Sequence, residues 1–386
     1  MLANFVDQLT IEVTSNCQAK CPGCIRHKVV NPITNRVEHP PKNINLTLEA
    51  HNRMIDEAAP LKFISYDGGF GDSPLHPDFL EMVKHAAQVE GMEILAISTN
   101  ASMRNPKWWA ELGRILNKYV PIGEIDRGHK VFFDLDGIDQ KTQEMYRINT
   151  NFDKIIENAK AFIGAGGAAC WKMIPFDFNK DLEERAKEMA TEIGFFEFHR
   201  DRVQRIEQLG AQLAIIKKQH GDDVDFKTFG DVEINLSDEK DLQKNADKAK
   251  ELVQDVFINP KLTVVQNLDK AKEDAGVTCS WSNMGNWQVS HDGTVWRCCW
   301  HQSNYNYQTK LNSGNRDAYT RFTSCYDENW NNIYYNNFND IINHEFFVEE
   351  LEESFSNKYD DPFMPKLKVC TKRCSDLNLI ETPRTS

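Results

Sequence analysis

The first two hundred residues of this 386-residue chain alternate between short apolar runs and segments with helical periodicity. This alternation is typical of repeated βα units, in which helices cover a parallel sheet. The predicted strands are 9–13, 61–66, 93–98, 131–135, 168–176 and 195–199. The predicted helices between them are 48–59, 77–90, 106–118, 152–164 and 181–193.

Six βα units predict an α/β fold, an open partial (β/α)6 barrel of the TIM type, because a closed barrel of this type needs eight. In such barrels the chemistry is found at the carboxyl ends of the strands, where the loops meet. Each candidate functional residue is therefore expected just after a predicted strand.

Three cysteines follow the first predicted strand with the spacing C-x3-C-x2-C: Cys17, Cys21 and Cys24. Three thiolates can bind three irons of a 4Fe-4S cube and leave the fourth iron open to a small molecule. Short cysteine spacings also suit zinc or a purely structural cluster, so these alternatives remain open at this point.

The loops after the next three strands carry further polar motifs. A glycine-rich segment, 67–78, follows the second strand, and Thr99 and Asn100 end the third. The fourth strand runs into Asp134, with Arg147 thirteen residues later. Glycines let a backbone approach a ligand closely, short polar side chains bind hydroxyls, and a guanidinium group matches a carboxylate.

Residues 12–26 read E-x-T-x-N-C-x-A-x-C-P-x-C-x-R, and together with these loops they resemble the radical S-adenosylmethionine (SAM) superfamily. The resemblance implies that a 4Fe-4S cluster on the three cysteines binds the amino and carboxylate groups of SAM. One electron then cleaves SAM, and the resulting 5'-deoxyadenosyl radical abstracts hydrogen from the substrate.

The same resemblance implies which loop residues hold SAM. Asp72 would take the acidic role, because Phe70 occupies the usual acidic position, and Asp134 stands where the family has a serine. Gly23 replaces an aromatic residue that is frequent before the third cysteine. The implied SAM-binding residues are Gly68, Gly69, Asp72, Thr99, Asn100, Asp134 and Arg147.

A second group of cysteines lies in the last hundred residues, around a predicted hairpin whose turn is Asp292-Gly293. This layout resembles the auxiliary-cluster module called twitch, a relative of the SPASM module. The resemblance implies a second 4Fe-4S cluster with four protein ligands. Zinc is the alternative for four thiols, and Cys299 is an alternative to Cys298. The implied ligands are Cys279, Cys298, Cys370 and Cys374.

These features predict three regions: the barrel at 1–202, a charged helical insertion or linker at 203–277, and a small hairpin and helix domain for the auxiliary cluster at 278–386. The insertion mixes acidic residues and lysines with helical periodicity, as expected of a solvated helical surface.

Composition narrows the possible partners and location. The net charge of -13 opposes nucleic-acid binding, which depends on lysines and arginines that neutralise phosphates. No apolar run approaches the roughly 20 residues of a membrane span, and the first residues lack a signal-peptide layout. We therefore expect a cytoplasmic protein, in which clustered cysteines indicate metal or redox chemistry, with a reductant such as flavodoxin or ferredoxin.

The leading functional hypothesis is modification of a peptide or protein side chain by the radical that SAM supplies. The alternative within enzymes is a radical dehydrogenase or epimerase acting on a sugar or another small metabolite. A remote alternative of another class is a zinc-binding interaction module with no catalytic activity.

Overall fold

A computed structural model describes residues 5–21, 24, 26, 29–30, 37–38, 43–123, 127–176, 178–201, 276–301 and 325–374. The predicted insertion, 203–277, lies outside the described residues except for 276–277.

The described strands, numbered in chain order, form one eight-stranded sheet and a separate two-stranded ribbon, β2–β3. The order in the large sheet is β10-β9-β1-β4-β5-β6-β7-β8. The strands are β1 (Gln8–Ile11), β2 (Val29–Val30), β3 (Val37–Glu38), β4 (Phe63–Tyr66), β5 (Ile94–Thr99), β6 (Gly128–Asp134), β7 (Ala169–Met173), β8 (Glu197–Arg200), β9 (Asn286–Val289) and β10 (Val295–Trp296).

Helices connect the strands of the first half, and shorter helices accompany the hairpin. A π-helical turn, Phe346–Glu350, leads into the ninth helix. The helices are α1 (Leu48–Ala58), α2 (Phe79–Ala86), α3 (Pro106–Tyr119), α4 (Gln140–Gln143), α5 (Phe152–Gly164), α6 (Glu183–Ile193), α7 (Ser280–Asn283), α8 (Phe338–Ile342), α9 (Leu351–Glu353) and α10 (Lys368–Cys374).

The predicted α/β fold with six parallel βα strands is confirmed. Strands β1, β4, β5, β6, β7 and β8 pair in parallel with their neighbours in chain order. Local signals set the helix boundaries: the side chain of Thr47 caps α1, Asn105 caps α3 before Pro106, and Gly194 ends α6 with φ 96°. The second predicted helix, 77–90, is shorter in the structure, at Phe79–Ala86, and a 3-10 turn, Ser73–Leu75, precedes it.

The two faces of the sheet differ in polarity. Leu9 and Ile11 of β1 are fully buried in the same apolar cluster as Met54 of α1. Several of the alternate positions are polar, as in Thr10 of β1 and Lys130 of β6. Because side chains alternate along a strand, one face packs on the helices and the other carries the polar groups of the barrel interior.

The C-terminal hairpin extends the barrel sheet. Strand β9 pairs in parallel with β1, with Leu9 opposite Trp287, and β10 pairs antiparallel with β9. The sequence predicted the hairpin from its Asp292-Gly293 turn, where Gly293 has φ 84°. The pairing with β1 joins residues nearly three hundred positions apart, and the local pattern did not predict it.

Asn158 of α5 provides a test of how this helix holds the loop after β5. The side chain is fully buried, and its Nδ2 donates to the carbonyl oxygens of Ala101 (2.9 Å) and Met103 (3.2 Å). Asn158→Leu leaves both carbonyls without these donors, so the free energy of unfolding is expected to fall by about 1–3 kcal/mol.

Urea unfolding followed by circular dichroism measures this change. Glu157→Gln, at the neighbouring exposed position, is the matched control and is expected to shift stability by less than about 0.5 kcal/mol. Equal midpoints for the two variants would contradict the role given to Asn158.

Candidate functional site

The cysteine loop leaves the carboxyl end of β1 and is fixed by backbone contacts. Leu46 N donates to Val13 O (2.9 Å), and the Arg26 guanidinium donates to Cys17 O (2.6 Å). Cys24 N donates to Cys21 O (3.2 Å), which closes a turn between the second and third cysteines. All three cysteines are partly buried, and none of them forms a disulfide bond.

The three thiols lie close enough to act on one another electrostatically. Burial raises the pKa of the Cys17 thiol well above its ordinary value, and Asp72, Cys21 and Cys24 add to the rise. Burial raises the pKa of Cys21 to about 11, although the nearby Arg147 guanidinium opposes the rise. Such thiols stay protonated at neutral pH and lose their protons when a metal binds.

A polar network connects the first cysteine to two of the predicted loops. Asn100 Nδ2 lies 3.6 Å from Cys17 Sγ, and Asn100 N donates to Asp72 Oδ1 (3.1 Å). Gln18 Nε2 donates to Asn100 Oδ1 (2.6 Å), and the Thr99 hydroxyl donates to Asp72. The structure therefore brings Asp72, Thr99 and Asn100 together beside Cys17; sequence reasoning missed Gln18, which carries no motif of its own.

Asp72 is buried, and its second oxygen, Oδ2, has no hydrogen-bond partner in the described part of the chain. Burial raises the pKa of Asp72 to about 6, although the hydrogen bonds from Thr99 and Asn100 oppose this rise. A buried carboxylate oxygen without a donor is a candidate acceptor for a ligand, because leaving it unpaired is costly.

The glycine-rich loop is pressed against the segment that leads into Cys17. Asp72 N donates to Asn16 O (2.7 Å). A Cβ atom on Gly71 would lie 1.9 Å from Thr14 O, and one on Gly69 would lie 2.1 Å from Glu12 Oε1. Real Cβ atoms do not approach other atoms so closely, and Thr14 O is a backbone atom, so position 71 requires glycine. At position 69 the added Cβ would displace the Glu12 side chain.

Arg147 is held by two carboxylates. Its Nε donates to Asp136 Oδ2 (2.6 Å), and an Nη donates to Asp134 Oδ2 (3.2 Å). Asp136 is fully buried and also accepts from Ile174 N (2.6 Å). The two predicted residues Asp134 and Arg147 are thus paired, and Asp136 is a third member that sequence reasoning did not assign.

Lys172 of β7 extends this group of charges into the barrel interior. Its Nζ lies 3.2 Å from Asp201 Oδ2 and 3.8 Å from Asp134 Oδ1. Although burial opposes it, the two carboxylates hold the pKa of Lys172 above its ordinary value. The lysine therefore stays charged, and it links the ends of β6, β7 and β8.

Aromatic side chains cover the second cysteine. Tyr146 and Phe176 are buried with ring centroids 4.5 Å apart, and Cys21 packs against this pair. Phe178 stacks on Phe176 at 5.2 Å. Position 23, directly before the third cysteine, is a glycine and has no ring. The aromatic rings beside Cys21 come instead from the segments that follow β6 and β7.

The hairpin turn reaches the glycine-rich loop. His291 is buried, its Nδ1 lies 3.7 Å from Glu12 Oε2, and its ring lies 5.9 Å from that of Phe70. Glu12 N also donates to Val289 O (2.9 Å). The C-terminal hairpin and the lead-in to the first cysteine therefore support each other.

The second cysteine group is assembled from three places in the chain. Cys370 and Cys374 lie four residues apart in α10, which places them on one helical face. Thr278 N donates to Cys374 O (2.8 Å), which brings Cys279 alongside. Burial raises the pKa of Cys298 well above its ordinary value, and Cys299, Cys370 and Cys279 add to the rise. Burial likewise raises the pKa of Cys370, with contributions from Cys279 and Cys374. The four predicted thiols therefore lie near one another, and Cys299 lies beside them.

The donor sets of both sites suit iron-sulfur clusters: three thiols beside the glycine-rich loop, and four around the hairpin and α10. In the ranges described above, no three His, Cys, Asp or Glu side chains converge where a single metal ion would be held. A four-iron cube takes one ligand at each iron, so its thiolates surround it and do not meet at one point.

No helix within the described ranges is both long enough and apolar enough to cross a membrane.

Comparison of solved structures finds similar chains of low sequence identity. Streptococcus suis SuiB bound to precursor peptide SuiA is 12% identical over 95% of this chain and 76% of that chain, with a TM-score of 0.44. Native anSMEcpe with bound AdoMet and Cp18Cys peptide gives 12% identity, coverages of 95% and 88%, and a TM-score of 0.46. BtrN in complex with AdoMet and 2-DOIA is 10% identical, with coverages of 97% of this chain and 94% of that chain and a TM-score of 0.42.

A search of curated proteins gives no match. Because the TM-scores lie below 0.5, the family assignment rests on the family model and on the residues in the site. The model of the radical SAM superfamily matches residues 11–190, which contain all three cysteines of the first loop and the following polar loops. The chain therefore contains a radical SAM domain at residues 11–190, a little under half of its length.

Proposed function

We propose that this chain is an enzyme that cleaves SAM reductively at a 4Fe-4S cluster on Cys17, Cys21 and Cys24. The match of residues 11–190 to the radical SAM superfamily supports both the cluster and SAM. The observation that supports the proposal most directly is the hydrogen-bonded path from the buried carboxylate of Asp72 through Asn100 to Cys17 Sγ. It joins a ligand-binding loop to a thiol at the carboxyl edge of the sheet.

We assign SAM binding to the residues around this path. The backbone of Gly68 and Gly69 would lie against the amino group, with Asp72 supplying an anionic acceptor. Thr99 and Asn100 would hold the ribose and methionine parts through their short polar side chains. The hydroxyl and amide are already oriented by their bonds to Asp72 and Gln18, so little ordering remains for binding to complete.

Asp134 and Arg147 belong to this assignment in a modified form. In the related pattern the arginine pairs with the SAM carboxylate, whereas here it is engaged by Asp136 and Asp134. A further carboxylate would therefore meet the remaining N–H groups of the guanidinium fork. Asp134 would act by holding Arg147 in place.

When bound, the cluster and SAM supply one-electron cleavage that yields a 5'-deoxyadenosyl radical able to abstract hydrogen from a substrate. The protein's own contribution is to orient the ligand and to shield the site from water. Tyr146 and Phe176 cover Cys21, and the glycine-rich loop packs against the segment that leads into Cys17. Exclusion of water protects a reactive intermediate from side reactions.

We propose a second 4Fe-4S cluster on Cys279, Cys298, Cys370 and Cys374, in a module of the SPASM and twitch type. The mutual influence of these thiols on their pKa values supports the grouping. Of the two adjacent thiols we take Cys298 as the ligand, because it is buried beside Cys370 and Cys279, and Cys299 is the alternative. Four thiolates complete the ligation of a cube.

The proposed reaction is modification of a peptide or protein side chain. The alternative is a radical dehydrogenase or epimerase acting on a small metabolite, which the single four-thiol group in the described C-terminal residues favours. We further propose a cytoplasmic enzyme that receives electrons from a flavodoxin or ferredoxin, and division of the chain into regions 1–202, 203–277 and 278–386.

Replacement of Cys17, Cys21 and Cys24 together by Ala tests the proposal of two clusters. Anaerobically purified wild-type protein is expected to hold about eight irons per chain, and the triple variant about four. The variant should form no 5'-deoxyadenosine from SAM and dithionite, whereas the wild type should. Iron analysis and chromatography of the products measure both outcomes.

Retention of SAM cleavage in the triple variant would contradict the assignment of the first cluster. Loss of all iron in that variant would contradict two independent sites. Wild-type protein that contains zinc and no iron would favour the interaction module.

Gly71→Ala tests the approach of the glycine-rich loop to the site. The added Cβ would lie 1.9 Å from Thr14 O, a backbone atom, so the loop must move away from the cysteine segment. The affinity for SAM is expected to fall at least tenfold in equilibrium binding measurements on reconstituted protein. Gly164→Ala is the matched control, since nothing lies within 4 Å of its added Cβ, and equal affinities for the two variants would refute the role of the loop.

The substrate class is tested by isotope transfer. A short peptide encoded beside this chain, deuterated at its side chains, is expected to stimulate 5'-deoxyadenosine formation and to transfer deuterium into it. Transfer from a deuterated sugar but not from the peptide would favour the small-molecule alternative.

A further inference from the structure

Arg297 occupies an unusual position for an arginine. It is 1% exposed, and it lies between the end of β10 and Cys298. Its guanidinium carbon lies 4.2 Å from the ring centroid of Trp287, and the guanidinium group is hydrogen-bonded to the Cys279 thiol. The side chain is thus fixed on an aromatic face with its charge directed at the C-terminal thiols.

A buried guanidinium group needs an anionic partner, because removal of its charge from water is costly. Among the described residues, the sulfurs of Cys279 and Cys298 stabilise the charge of Arg297. Neutral thiols are poor partners, whereas the thiolates around a metal centre are anionic. A negatively charged centre on these cysteines would supply Arg297 with such a partner.

His301 approaches the same sulfurs from the next turn of the chain. Its ring is 2% exposed, and Nε2 lies 3.3 Å from Cys370 Sγ. The backbone N–H of His301 donates to the Cys298 carbonyl oxygen (3.1 Å) and also acts on the Cys298 sulfur. Arg297 and His301 together place nitrogen groups beside three of the four proposed ligands.

We propose that Arg297 and His301 set the reduction potential of the auxiliary cluster, raising it through N–H···S hydrogen bonds and the buried positive charge. The inference rests on the proposed second cluster. Hydrogen bonds to ligand sulfurs and a nearby positive charge stabilise the reduced, more negative state of a cluster, which raises its potential. The two residues are positioning and tuning residues, and they touch the cluster ligands.

The test uses full-length, anaerobically reconstituted protein in the Cys17, Cys21 and Cys24 to Ala background, so that only the auxiliary cluster contributes to the spectrum. A redox titration followed by electron paramagnetic resonance is carried out on Arg297→Gln, Arg297→Lys and His301→Gln. Arg185→Gln removes the same charge at an exposed helical site paired with Glu188 and Glu192, and it is the matched control.

Arg297→Gln is expected to shift the midpoint potential to more negative values, and Arg297→Lys by a smaller amount because it keeps the charge. His301→Gln should also lower the potential, with the iron content unchanged in all variants. Arg185→Gln should titrate as its parent.

A potential unchanged in Arg297→Gln and His301→Gln, with the cluster intact, would overturn the inference. Loss of the cluster in both Arg297 variants would show that Arg297 is needed for cluster assembly and would overturn its role in setting the potential. The role of His301 is then tested by the midpoint potential of His301→Gln alone. Only four irons in wild-type protein would instead refute the proposed second cluster.

Discussion

The parallel pairing of β1 with two partners is the constraint on which the rest of the structure depends. Gln8–Ile11 pairs with Phe63–Tyr66 on one side and with Asn286–Val289 on the other. Parallel strands release their following loops at one edge, so the cysteine loop, the glycine-rich loop and the hairpin turn all meet there. The contact of His291 with Glu12 is a direct result.

The site at this edge is held by hydrogen bonds whose partners come from different loops. Asp72, Asn100 and Cys17 come from three βα units, yet they form one continuous path. Networks of this kind are stable only when each buried polar group finds its partner. The unmatched Oδ2 atom of Asp72 is therefore the point where a ligand would complete the network.

Sequence motifs located most of the candidate site because loops after parallel strands converge irrespective of their exact length. Asp72, Thr99, Asn100, Asp134 and Arg147 were predicted from motifs in the loops after three strands, on the resemblance to a known family. Gln18, Asp136, Lys172 and the Tyr146–Phe176 pair were not assigned, since their roles arise from contacts between distant segments. A single polar or aromatic residue carries no local signal of such a contact.

The sequence by itself determined the repeated βα units, the helix caps at Thr47 and Asn105, and the two groups of cysteines, because each depends on spacing within a few residues. Only the tertiary structure decided that β9 joins β1, that Arg147 is engaged by two carboxylates, and that Arg297 lies buried against Cys279. These outcomes depend on burial and electrostatic pairing between segments far apart in the chain, which local periodicity does not specify.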